Sequence, residues 1–262
     1  MRGRVSSWLI LAAIAALGAC ADMPALPPVP HYDQAQLENI QMRAVLVAGD
    51  PGLPVFDNAT GAMAAWMRDQ AGVEPDRITR LSASPAVIAQ RGTVTTSWSN
   101  VMQAIENLKP LPGQGCFAFI TSHGIRGAGV ELSPGGVVSP DELDKALVRG
   151  CGNAPTVVII SACYSGGFAE PPMTRANRII MTAARADRPS FGCRSAATYT
   201  FFDACLLGSL GHAQRWNGLF EATVACVEKR EKAGNYVPSE PQGWFGPAVA
   251  DMPIPQERAT GS

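Results

Sequence analysis

Histidine is scarce in this chain, with three residues in 262, at positions 31, 123 and 212. No CxxC pair and no His-rich cluster is present, so nothing suggests a metal and no cofactor is expected. Charge is scarce as well. Only 16% of residues are charged and the formal net charge is −1, which leaves no electrostatic footprint for nucleic acid. The apolar run near the start, residues 8–17, is too short to span a bilayer stably. What remains, 47% hydrophobic, suits one globular domain of roughly 200 residues plus tails.

Arg2 and Arg4 precede that short apolar run, and small residues close it. This is the pattern of a secretory signal peptide over residues 1–19. The run ends Leu17-Gly18-Ala19-Cys20, which resembles a bacterial lipobox with Cys20 as the lipidated residue. Ala21 stands where an aspartate would resemble an inner-membrane retention signal, so the expected location is the outer membrane of the cell envelope, facing the periplasm. Residues 20–38 carry Pro24, Pro27, Pro28 and Pro30 and read as a stiff lipidated tether. The folded domain is expected over 39–238, followed by an irregular tail over 239–262.

Export sets the question for the other six cysteines. Cys116, Cys151, Cys193, Cys205 and Cys226 are candidates for pairing in an oxidising compartment, with one left over. Cys116 and Cys151 each open the approach to a predicted strand and are expected side by side. Spacing leaves the other pairings open.

Apolar runs predict strands at 43–49, 78–82, 116–122, 156–161 and 178–184. Helical spacing predicts helices over 60–71, 97–108, 199–210 and 216–232. A further helix starts at Pro140 behind a capping box of Ser139 and Glu142. Residues 129–139 read as a small hairpin turning at Pro134-Gly135-Gly136. Strands alternating with helices imply an α/β protein, a mainly parallel sheet of about six strands covered on both faces. Ligands in such sheets sit beyond the carboxyl ends of the strands.

Two of those ends carry nucleophile chemistry. Ser-His-Gly follows the third strand and Ala-Cys-Tyr-Ser-Gly-Gly the fourth, placing His123 and Cys163 at the same edge. An imidazole beside a thiol can take its proton and make it a strong nucleophile. The adjacent glycines give the backbone N–H access that an oxyanion needs.

The stretches FITSHGIRGAG and VIISACYSGGF resemble the His-Gly and Ala-Cys motifs of the legumain (hemoglobinase) family, within the caspase-like cysteine peptidases. IIMTAARADRPSFGC resembles that family's next strand and loop, and AVLVAG its first strand. The likeness spans roughly residues 40–230. It implies a caspase-like three-layer αβα sandwich, with Cys163 as nucleophile and His123 as general base. Gly124 N–H and Cys163 N–H become the oxyanion donors, and a peptide or protein becomes the substrate. The substrate pocket of the family maps onto Asp57 and its neighbour Asn58, Ser161 and Asp203. Asp57 stands in place of an arginine and Ser161 in place of a glutamate. A pocket so composed would be net acidic and favour arginine or lysine at P1. The competing reading puts Asp57 in a mobile loop, with Asn58 capping the next helix. Arg126, Arg175 and Arg185 are either binders of substrate carboxylates or solvated loop residues.

The leading expectation is a lipid-anchored cysteine endopeptidase. A peptide ligase or transamidase of the same fold would share the Cys163 thioester and differ in what resolves it. A catalytically silent, peptide-binding envelope lipoprotein is the alternative of another class.

Overall fold

The computed structural model describes residues 28–256. The expected signal peptide, Cys20 and the first part of the expected tether lie outside the described residues. The described end of the tether is folded. Asp33 and Gln36 form a capping box for a short helix, α1 (Gln34–Glu38), whose Leu37 is buried.

The first strand, β1 (Gln41–Ala48), is buried on both faces after its first residues, as a central parallel strand must be. It is followed by α2 (Pro54–Asp69), β2 (Ile78–Ser82), α3 (Pro85–Arg91), the short β3 (Val94–Thr95) and α4 (Trp98–Glu106). The chain then returns through β4 (Gln114–Thr121) on the other side of β1. A three-stranded flap of β5 (Gly124–Ile125), β6 (Gly129–Glu131) and β7 (Val137–Val138) leads to α5 (Pro140–Cys151), whose N-terminus carries the Ser139–Glu142 capping box. Next come β8 (Thr156–Ser161), a 3-10 turn over Ser165–Ala169, β9 (Arg178–Thr182), α6 (Phe201–Leu210), α7 (Trp216–Ala233) and β10 (Gln242–Phe245).

The main sheet has seven strands in the order β10-β9-β8-β4-β1-β2-β3. All neighbours are parallel except β10, which runs antiparallel to β9. Side chains alternate between two cores. Ala44, Leu46, Phe117 and Phe119 pack against Met63 and Met67 of α2, Phe202 of α6 and Trp216 of α7. Val45, Val47, Ile120 and Val158 pack on the opposite face against Val101 and Ile105 of α4 and Leu143 and Leu147 of α5. This is the three-layer αβα sandwich expected.

Besides the added short elements α1, α3 and β3, other details differ from expectation. Helix α2 starts six residues early because Pro54 fits the first helical position and Val55, Phe56 and Ala59 bury their side chains there. The stretch expected as an irregular tail supplies β10, which a four-residue run between Pro241 and Gly246 is too short to announce. Cys116 and Cys151 do form a disulfide, but it joins β4 to the end of α5 rather than two strands; a second joins Cys205 of α6 to Cys226 of α7. Cys163 and Cys193 are free thiols.

Between β1 and β4 the chain reverses its direction of travel across the sheet, since β2 and β3 lie on one side and β4, β8 and β9 on the other. At such a switch point the loops part and leave a crevice beyond the strand ends. Asp50 follows β1, His123 follows β4 and Cys163 follows β8. These three strands are adjacent.

Candidate active site

The two central loops meet at Gly124. A Cβ on this residue would lie 1.8 Å from the Cys163 carbonyl oxygen and 3.1 Å from the Cys163 nitrogen. Only glycine permits that approach, so the backbone after β4 lies directly against Cys163. The flap sets the direction of its N–H. Glu131 N–H donates to the His123 carbonyl at 2.9 Å, so Gly124 and Val130 form the non-hydrogen-bonded pair of the β5–β6 ladder. The Gly124 N–H therefore points away from β6.

Cys163 is partly exposed. Its Sγ accepts a hydrogen bond from Ser190 N–H at 3.2 Å and lies 3.4 Å from the Ser190 carbonyl and 3.6 Å from its hydroxyl. The next residue, Tyr164, adopts φ +58°, a left-handed conformation that costs a non-glycine residue about 1–3 kcal/mol. Its N–H donates to the Arg188 carbonyl at 2.8 Å. Gly166 then passes so close to the loop after β9 that a Cβ would stand 2.4 Å from Ala186 N. The loop over 185–193 thus holds both the thiol and the strained turn behind it.

His123 keeps 40% of its side-chain surface exposed. Its ring makes a T-shaped contact with buried Phe56 of α2, 5.2 Å between centroids at an 83° interplanar angle. Its Nε2 is 3.8 Å from Asp50 Oδ1, and Asp50 is itself fixed by accepting the Gly52 N–H at 2.7 Å. Among the described residues no hydrogen bond joins the imidazole to Sγ; the thiol is turned toward Ser190. Catalytic hydrogen bonds are commonly long or misaligned before substrate binds.

Sequence reasoning missed Asp50 and Ser190. Asp50-Pro51-Gly52 reads as a strand terminator, yet its place directly beyond β1 is the station that the fold reserves for function. Ser190 acts through its backbone and carries no sequence signal.

The expected substrate pocket is not assembled as an acidic cup. Asp57 sits in the first turn of α2, buried, not in a mobile loop. Its Oδ2 accepts from Ser82 Oγ at 3.0 Å, and its Oδ1 is paired with Arg80 at 3.4 Å. Burial raises its pKa despite Ser82, Arg80 and Arg91. Its charge is already matched by a guanidinium. Leu53, not Asn58, occupies the cap position, and the Asn58 amide donates to the Thr198 carbonyl at 3.0 Å. Ser161 is buried at the end of β8 and Asp203 is fully enclosed, so neither presents a free anion to the cleft. Arg175 lies before β9, at the opposite sheet edge, paired with Asp144; Arg185 is paired with Asp187 and Glu240; Arg126 is exposed on the flap.

Cys193 lies on the loop that holds Cys163, packed beside Ala48, Val55 and Phe56. Burial foremost, then the nearby Cys163, Asp203 and Asp50, pushes its thiol up to about 12.

Residues 99–214 match the model of the Peptidase C13 family. The matched span contains His123, Gly124, Cys163 and Ser190. Among solved structures, caspase-1 from Spodoptera frugiperda is similar over 90% of this chain and 91% of its own, with a TM-score of 0.54 and 13% sequence identity. At that identity the likeness shows the fold, which is caspase-like. No curated protein matches the chain. The matched stretch holds both motif loops, and the fold that carries them is caspase-like.

Proposed function

We propose that the protein is a cysteine endopeptidase that cleaves peptide bonds through a thioester on Cys163, with His123 as general base. The observation that carries this reading is the contact of Gly124 with the Cys163 backbone, which leaves no room for a side chain. It brings the residue after His123 against the backbone of Cys163, which supports Gly124 N–H and Cys163 N–H as the two oxyanion donors. Two such donors, fixed in advance, suit the oxyanion of a tetrahedral intermediate.

In the reaction Sγ turns from Ser190 toward the imidazole and gives up its proton. The thiolate attacks the carbonyl carbon, and the oxyanion takes hydrogen bonds from the two N–H groups. The C–N bond then breaks as His123 returns the proton to the leaving amine. Water, deprotonated by His123, hydrolyses the thioester and frees the acid. Asp50, beside Nε2, stabilises the imidazolium that forms between these steps. Phe56 holds the ring through their T-shaped contact.

The signal sequence and Cys20 support a lipid-anchored form on the outer membrane facing the periplasm. Two disulfides fit such an oxidising compartment.

Acid-quenched mass spectrometry of the wild type with a peptide substrate mixture tests the mechanism. An acyl adduct on the Cys163 peptide is expected. Added hydroxylamine should release it, and an added peptide amine should yield coupled product only if the enzyme ligates. Turnover with no adduct on Cys163 would defeat the proposal.

A further inference from the structure

Asp203 lies in the first turn of α6 and is fully buried. Its Oδ2 accepts a hydrogen bond from Thr121 Oγ1 at 2.9 Å. The Ser161 hydroxyl stands beside the same carboxyl, 3.4 Å from Thr200 Oγ1. Thr200 Oγ1 caps the helix by accepting the Asp203 N–H at 3.0 Å. Thr121 and Ser161 are register partners on the last rung shared by β4 and β8. Each precedes a member of the proposed dyad by two residues, Thr121 before His123 and Ser161 before Cys163.

The group is costly where it sits. No cation pairs with it among the described residues, and Oδ1 is buried without a hydrogen-bond partner. The hydroxyls of Thr121, Ser161 and Thr200 lower its pKa, but burial outweighs them and pushes it up to about 6. An apolar side chain of similar size would fill the same space at less cost. A costly side chain at the root of both catalytic loops calls for a role in those loops.

We infer that Asp203 is a positioning residue: from α6 its carboxyl clasps the last β4–β8 rung and fixes the relative placement of His123 and Cys163. The inference rests on the dyad reading above. Placement at this scale matters, because a displacement of about 1 Å at a reacting centre can cost on the order of a hundredfold in rate.

The test reads the dyad without a substrate. The rate of Cys163 alkylation by iodoacetamide is measured by peptide mapping, which separates it from Cys193, in the wild type, His123→Ala, Asp203→Ala and Asp203→Asn, with thermal melts alongside. His123→Ala should slow alkylation, because the thiolate needs its base. Asp203→Ala should slow it by about tenfold at a temperature where it is fully folded, and Asp203→Asn, which keeps an acceptor for Thr121, should restore it to within about twofold. Should Asp203→Ala not fold, Thr121→Val removes one arm of the clasp and should slow alkylation in the same sense. Wild-type alkylation in folded Asp203→Ala, or in Thr121→Val, with only the melting temperature lowered, would reduce Asp203 to a structural residue and overturn the inference. If His123→Ala leaves the rate unchanged, the dyad itself falls, and the inference with it.

Discussion

The free thiols of Cys163 and Cys193 lie near one another, and their surroundings separate them. Cys163 is partly exposed, its sulfur accepting the Ser190 N–H. Cys193 packs against Phe56 and Val55, and burial pushes its thiol up to about 12. At pH 8 it is almost wholly protonated, and a protonated thiol does not attack an alkylating agent. Brief treatment with iodoacetamide at pH 8 should therefore modify Cys163 well before Cys193, with peptide mapping as the readout. Equal labelling of both would contradict this picture of the two thiols. At this scale the sequence was informative where side chains do the chemistry. His123 and Cys163 stand out as rare residues beside glycines at successive strand ends. Ser190 and Tyr164 act through backbone N–H groups and φ, which residue identity does not encode. The pairing of Asp57 with Arg80, 23 positions away on β2, leaves no local pattern in the sequence.

Helix α5 is bound to β9 by a buried ionic cluster. Asp144 takes Arg175 at 2.7 Å and Arg178 at 2.6 Å, and Arg178 is almost wholly buried. Burial alone would raise the Asp144 pKa, but the hydrogen bonds and charges of the two arginines outweigh it and hold it below the ordinary value. A depressed carboxyl adds stability above its unfolded value and loses it as pH falls through the folded one. Asp144→Asn, which strands Arg178 without its anion, should cost about 3 kcal/mol at neutral pH. Wild type and variant should converge in urea melts as pH drops below the ordinary carboxylate range, and a pH-independent difference would contradict this. Elements of this kind were legible in proportion to their burial. The strands β1, β4, β8 and β9 are continuous apolar runs because both faces are covered. The edge strands β3 and β10 and the short helix α1 bury too little to leave a pattern, and β10 exists only through its pairing with β9.

As a whole the molecule is a caspase-like sheet whose switch point collects Asp50, His123 and Cys163 from three adjacent strands. The proposed lipid anchor belongs to this scale too. Cys20→Ser should turn a membrane-associated protein into a soluble or unprocessed one, checked by fractionation and mass spectrometry. A processed variant that still sediments with membranes would contradict the lipid anchor. The central claim is that Cys163 and His123 act as one unit. Its most direct test is a mutant cycle of Cys163→Ala, His123→Ala and the double variant, assayed by cleavage of a peptide library. Residues that act together fail together, so the double variant should be no worse than either single variant. All three should fall by at least about a thousandfold while their melts stay cooperative. Substantial cleavage by His123→Ala, or losses that multiply in the double variant, would contradict the account.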